Sequence, residues 1–294
     1  MKIFFEYGRK YEFLFDLNFP VLINQLKIDE IWWKNETLID SGGYQIILQG
    51  MQIKPEEVLK KYKQLAQQSN KLMFFSLDYP TLFDHVDNRN FDWFEFLWTK
   101  FEEAEKIIPI VHMYTKSDLD FAIDFYRQYT NYLAMGGFVA SSKNDVFLYT
   151  LPFYVYVKRK VNWLHVLGMP GAKTKTLFLD ANQLDTSIHI HLSGLRRVIF
   201  PDGRDYHPTN KKFKERVNEL IDFLEKTNFP YEIKFDSYKD VAKINVWVLQ
   251  YSEEMINEKY YYYLRSLKRL GEDSLIEEMK LAFKSAREIL NSKK

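Results

Sequence analysis

Short apolar runs alternate with amphipathic stretches along roughly the first two hundred residues of the chain. The runs are Val21–Ile23, Thr37–Ile39, Leu72–Leu77, Ile107–Val111, Tyr132–Met135, Trp163–Leu167, Thr176–Leu179 and Arg197–Phe200. Each is short and largely apolar, as strands covered on both faces are. Between them lie helical patterns. Pro55–Gln68 sets Val58, Leu59, Tyr62 and Leu65 at helical spacing behind a proline start. Phe91–Lys106 and Ser117–Tyr129 read alike, with Ser117 as the expected N-cap. Strand and helix in alternation imply a parallel sheet. Eight strands in so short a span favour closure, so the pattern predicts an α/β fold, a (β/α)8 TIM-type barrel over residues 1–205.

The character changes near Tyr206. His207-Pro208-Thr209-Asn210 breaks the pattern, and helical periodicity follows in Lys211–Glu225, Glu253–Leu270 and Asp273–Asn291. Ala242–Leu249 reads as an extended stretch among them. Residues 206–294 are therefore expected to form a mainly helical C-terminal region packed on the barrel.

Composition narrows the chemistry. With 46% hydrophobic residues, a chain of 294 can fill a sizeable core. It contains no Cys, which excludes disulfides, thiolate zinc sites and a cysteine nucleophile. A net charge of +1 argues against a polybasic coat but leaves room for a local basic groove. The N-terminus has no signal-peptide layout and no apolar run reaches the roughly 18 residues of a membrane span, so a soluble, cytoplasmic protein without a membrane partner is expected.

Barrel active sites lie at the C-terminal ends of the strands. Three apolar runs end in polar or glycine-rich blocks, Asp40-Ser41-Gly42-Gly43-Tyr44-Gln45, Asp78-Tyr79-Pro80-Thr81 and Gly136-Gly137, and the segment before Leu184 leads into a fourth, Asp185-Thr186-Ser187. A single Asp there is more often a helix N-cap. Three beside two Gly-Gly pairs suit glycosidic chemistry, in which one carboxylate attacks, one shuttles protons and one reads a base edge. The glycines would let backbone approach a flat ligand. Hydrolysis of a glycosidic bond uses the same groups, and the residues alone leave the substrate open.

The block Asp40–Gln45 resembles the DSGG(F/Y)Q signature of the tRNA-guanine transglycosylase superfamily, residue for residue. Asp78 to Pro80, Gly136-Gly137, His165-Val166-Leu167-Gly168 and Leu184-Asp185-Thr186 are similar to that family's later blocks, in its order, over roughly residues 15–205. The resemblance implies a base exchange in which guanine in nucleic acid is replaced by a 7-deazaguanine such as preQ0, with no cofactor. Carried over, Asp185 is the nucleophile at C1′ and Asp40 the general acid/base. Asp78 reads the purine N1 and amine, and Gly137 with Gly136 offers an N–H to O6. Tyr44 and Leu167 sandwich the ring. Ser41 and Gln45 belong to the signature, and His112 stands where the family often has Gln. Arg196 and Arg197 stand where the family places backbone contacts and are the expected phosphate binders.

The chain also departs from the family. The thiolate zinc cluster is absent, and His189 and His191, at strand spacing, are too close together to replace it without other ligands and are expected to be structural or nucleic-acid contacts. No bound metal is therefore expected. A shortened, zinc-free chain resembles the branch acting on DNA, so DNA is slightly favoured over tRNA as partner, and a homodimer is compatible. The alternative is a non-catalytic, transglycosylase-like nucleic-acid-binding subunit.

Overall fold

The computed structural model describes residues 1–8 and 10–293. Nine parallel strands form one sheet: β1 (Lys2–Glu6), β2 (Val21–Asn24), β3 (Thr37–Asp40), β4 (Leu72–Phe75), β5 (Ile107–Ile108), β6 (Ile110–Val111), β7 (Ala134–Met135), β8 (His165–Val166) and β9 (Gln183–Thr186). Their order is β5-β4-β3-β2-β1-β9-β8-β7-β6, so β5 and β6 lie at its two ends. Those ends are one piece of chain, separated only by Pro109. The Ser76 N–H donates to the Ile108 carbonyl at 2.9 Å on one side, and the Ala134 N–H to the Pro109 carbonyl at 2.8 Å on the other. Proline breaks the strand because it has no N–H, yet its carbonyl still joins the ladder. The sheet therefore closes as an eight-stave parallel barrel.

Six of the eight expected strands are staves. Thr176–Leu179 instead belongs to a 3-10 helix, Ala172–Phe178, whose Leu177 and Phe178 are fully buried. Its apolar run records burial rather than strand geometry. Arg197–Phe200 contributes β10 (Val198–Ile199), paired antiparallel with β11 (Asp205–Tyr206) outside the barrel. Their places are taken by β1 and β9, which pair with each other from Lys2↔Gln183 to Phe5↔Thr186.

Helices α1 (Phe13–Asp16), α2 (Gly43–Gln49), α3 (Pro55–Ala66), α4 (Arg89–Lys100), α5 (Lys116–Arg127), α6 (Phe138–Lys143), α7 (Leu151–Lys160) and α8 (Ile188–Gly194) alternate with the strands. The N-cap of α5 is Thr115, whose hydroxyl accepts from Asp118 N, and not Ser117. The C-terminal helices α9 (Lys211–Lys226), α10 (Tyr238–Tyr251), α11 (Glu258–Leu267) and α12 (Glu272–Ser292) follow, with α10 packed on α8, and α11 and α12 on α7. The expected extended stretch Ala242–Leu249 is the middle of α10, where every residue from Ile244 to Leu249 is buried. A helix covered all round loses the amphipathic period that marks surface helices. Among the described residues no helix is long and apolar enough to cross a membrane.

Inside the barrel Phe4, Leu22, Leu38, Phe75, Ile108, Ile110 and Ala134 form a core of their own. Side chains alternate in and out along a strand, so on β1, β2, β3, β6 and β7 the position two residues beyond the last inward apolar one lies on the inner side, one layer nearer the C-terminal mouth. That layer holds Glu6, Asn24, Asp40, His112 and Gly136.

The β10–β11 hairpin is tied to α10 by Asn245, which is fully buried. Its Oδ1 accepts from Ile199 N at 2.7 Å and its Nδ2 donates to the Arg197 carbonyl at 2.9 Å. Asn245→Ala leaves both backbone groups without partners, and we expect a loss of about 1–3 kcal/mol in urea unfolding. An unchanged midpoint would show that the amide does not hold the hairpin.

Candidate active site

Asp40 ends β3 opposite Asn24, which ends β2 in register with it. Asn24 Nδ2 donates to Asp40 Oδ2 at 2.6 Å and to Gln45 Oε1 at 3.0 Å. The turn that follows is a close-packed device. Gly42 has φ of 91°, and a Cβ on Gly43 would lie 2.2 Å from Asp78 Oδ1. A Cβ on Gly136 would likewise lie 2.6 Å from Cε1 of the His112 ring. The glycines were expected to admit a flat ligand. Their nearest neighbours are instead the site's own Asp78 and His112, so at Gly43 and Gly136 glycine is required for packing.

Asp78 and His112 are both buried and joined, Nε2 to Oδ2, at 2.8 Å. His112 Nδ1 is buried without a partner among the described residues. The Gly136 N–H donates into the ladder, to Val111 O at 2.9 Å, so it is not offered to a ligand. Gly137, with φ of 97°, stands one residue further on at the start of α6.

Asp185 ends β9. His165 Nε2 meets its Oδ1 at 2.9 Å, and the Gly168 N–H donates to the same oxygen at 3.0 Å. The His165 ring is fully buried inside the barrel, edge-on to Phe75 at 5.0 Å, and its Nδ1 faces Gln183 Oε1 at 3.4 Å. Asp185 is thus gripped on one oxygen by two donors.

Asp40 senses the other two carboxylates. Burial pushes the Asp40 carboxyl up from 3.8 to about 7, the nearby Asp78 carboxylate adds to the rise, and Asp185 contributes further. The Gly42 N–H and the Asn24 amide act in the opposite direction. Beneath them the Tyr62 hydroxyl donates to Phe75 O at 2.6 Å, its pKa raised by burial and then by Asp40 and Asp78.

Tyr44 and Leu167, both partly buried, follow β3 and β8, which stand four staves apart in the ring of eight and so on opposite sides of the mouth. Tyr44 Oη lies 3.4 Å from Lys143 Nζ. Ser41 is turned away from the mouth: it is fully buried, Gly43 N donates to its Oγ at 3.4 Å and Gln25 donates to its carbonyl at 3.1 Å. The two arginines expected at phosphates close off α8 and brace the C-terminal region. Arg196 donates to Asp236 O at 2.6 Å, and Arg197 forms an ion pair with Asp205. His189 and His191 lie on helix α8, not on a strand. His189 is buried with Nε2 toward Glu6 O at 3.1 Å, and burial drops its pKa to about 3. His191 is exposed, and no three His, Asp or Glu among the described residues are grouped to hold a metal. These residues do not fit the zinc site of the transglycosylase family.

Asn24, Glu6 and His165 are the mouth residues that motif reading passed over as site residues. Strand alternation marks them, since each lies two residues after an inward apolar side chain.

The molecule is thus a parallel α/β-barrel protein whose mouth gathers three carboxylates, two of them braced by histidines. It is 42% identical over 297 residues to "uncharacterized protein 306" of Sulfolobus islandicus rod-shaped virus 1, spanning 100% of this chain and 96% of the viral protein. The chain belongs to the family of that viral protein. No protein-family model matches it.

A carboxyl whose pKa is higher folded than unfolded binds protons more tightly in the native state. Stability then falls as pH rises from about 4 to about 7. We expect Asp40→Asn to remove this slope and to raise the unfolding free energy from urea titration more at pH 8 than at pH 4, by a difference on the order of a few kcal/mol. An equal effect at both pH values would refute the assigned protonation.

Proposed function

We propose that this protein is a pentosyltransferase that exchanges guanine in nucleic acid for a 7-deazaguanine, with DNA favoured over tRNA as the acceptor. The observation that carries the reading is the convergence of Asp40, Asp78 and Asp185 on one mouth, in three different environments. Asp185, held on Oδ1 by His165 and Gly168, is left with Oδ2 to attack. Its oxygen forms a bond to C1′ as the bond from C1′ to the guanine N9 breaks. Asp40, protonated near neutral pH, delivers its proton to the departing base. The resulting carboxylate removes the N9 proton of the incoming 7-deazaguanine, and that N9 then displaces Asp185 from C1′. A pKa of about 7 suits a group that must both give and take a proton.

Asp78 accepts from the purine N1–H and exocyclic amine, with His112 steadying its Oδ2. Tyr44 and Leu167 flank the ring from opposite sides of the mouth. Two side chains flanking a ligand in this way suit a flat base better than a sugar chain.

Asp185→Asn is expected to lower exchange on the order of a thousandfold or more and to abolish the covalent adduct, with base binding retained, because an amide is a poor nucleophile. Asp78→Asn is expected to weaken base binding by about 1–3 kcal/mol, since it presents a donor where acceptors are needed. Labelled guanine exchange on tRNA, duplex DNA and single-stranded DNA, beside a denaturing gel for the adduct, reads both effects. Adduct formed by Asp185→Asn at the normal rate would assign the attack to another residue. No adduct from the unaltered protein on any polymer would leave a non-catalytic nucleic-acid-binding subunit.

A further inference from the structure

The geometry points to a backbone-binding groove on the barrel rim, beside Asp185, that holds the phosphodiester strand of the nucleic acid. It rests on the nucleic-acid reading above and draws its polymer contacts from residues other than Arg196 and Arg197. The loop leaving β8 begins at the nucleophile: Gly168 N–H donates to Asp185 Oδ1 at 3.0 Å, and Met169 N–H to Asp185 O at 2.8 Å. Immediately beyond, Gly171 and Thr174 form the shared wall of two cavities, of about 470 and 330 Å³. One opens toward the β10–β11 hairpin and the other toward α6 and α11. Together they make a channel that starts two residues from the Gly168 donor.

The charge of this channel favours an anionic strand. Lys173 and Arg204 line the first cavity, and Lys259 the second. Two carboxylates line it as well, but each is already held by a cation from outside the lining. Asp205 is paired with Arg197, and Asp145 meets Lys293 at 2.9 Å. Lys173 and Lys259 have no ion-pair partner among the described residues. Arg204 shares its one carboxylate, Asp202, with Arg216, at 3.5 and 3.1 Å. The lining is therefore left cationic. Tyr206 and Tyr260 add rings that a base next to the target nucleotide can stack on. Gly171 has open space where a Cβ would stand, so the wall nearest the nucleophile admits a backbone closely.

The test uses the full chain carrying Lys173→Ala, Arg204→Ala and Lys259→Ala together, with fluorescent single-stranded DNA and RNA oligonucleotides as probes. Each phosphate contact contributes about 0.7 to the log–log salt slope for single strands, so the triple variant is expected to lose about 2 from that slope. Lys259→Ala alone, at an exposed position, is expected to lose about 0.7. Arg196→Ala is expected to leave the slope unchanged, as is the triple variant's affinity for the free base. The DNA and RNA arms tell which polymer the groove prefers. An unchanged slope in a triple variant with a normal unfolding midpoint would overturn the groove, as would unaltered protein that binds neither oligonucleotide. If the slope falls as expected but no labelled guanine is exchanged, the groove stands and the transferase reading fails. If guanine is exchanged but the slope does not change, the transferase reading stands and the groove fails.

Discussion

A carboxylate taken out of water is unfavourable by on the order of several kcal/mol unless donors or a cation meet it, and this barrel mouth holds three. Each is accommodated differently. Asp185 receives His165 and the Gly168 N–H on one oxygen, and Asp78 receives His112. Asp40, with a neutral Asn24 amide beside two like charges, holds its proton up to about pH 7. Two braced carboxylates and one proton-holding acid are a division of labour that follows from where each sits on the ring of strands.

That division depends on close approach. Asp78 sits against Gly43 and His112 against Gly136, at distances that exclude any side chain. Replacing either glycine would push on the Asp78–His112 pair before it touched a ligand. The Gly-Gly pairs therefore belong to the electrostatics of the mouth as much as to its shape. The same economy appears at His165, which fills the barrel interior between Phe4 and Phe75 while its Nε2 reaches Asp185.

The C-terminal helices bear on the site through the hairpin β10–β11 and the start of α11. Asn245 ties the hairpin to α10, and Arg197 holds Asp205 against it. This brings Arg204 and Tyr206 to the β8 loop at Gly171, three residues beyond the donor that grips Asp185. The region thereby sets Arg204 beside Lys173 along the β8 loop.

The parallel barrel and its acidic mouth were legible in the sequence, because strands buried on both faces write apolar runs and the residues just past them face the site. Asp40 and Asp78 were found that way, whereas Asp185, on β9, was marked by the Leu184-Asp185-Thr186 block rather than by one of these runs. β1 and β9 were not legible, since Lys2, Glu6, Gln183 and Asp185 give both strands polar ends, and neither were the helical Thr176–Leu179 and α10, where complete burial erases the period that separates helix from strand. Local sequence determined which residues carry charge and which turns need glycine. Only the tertiary structure decided that Gly43 and Gly136 pack on Asp78 and His112, that His165 braces Asp185, and that Arg197 is neutralised by Asp205. Contacts between neighbouring staves or between a strand end and a distant helix join residues far apart in the chain, and no local pattern records which partner closure of the barrel will bring.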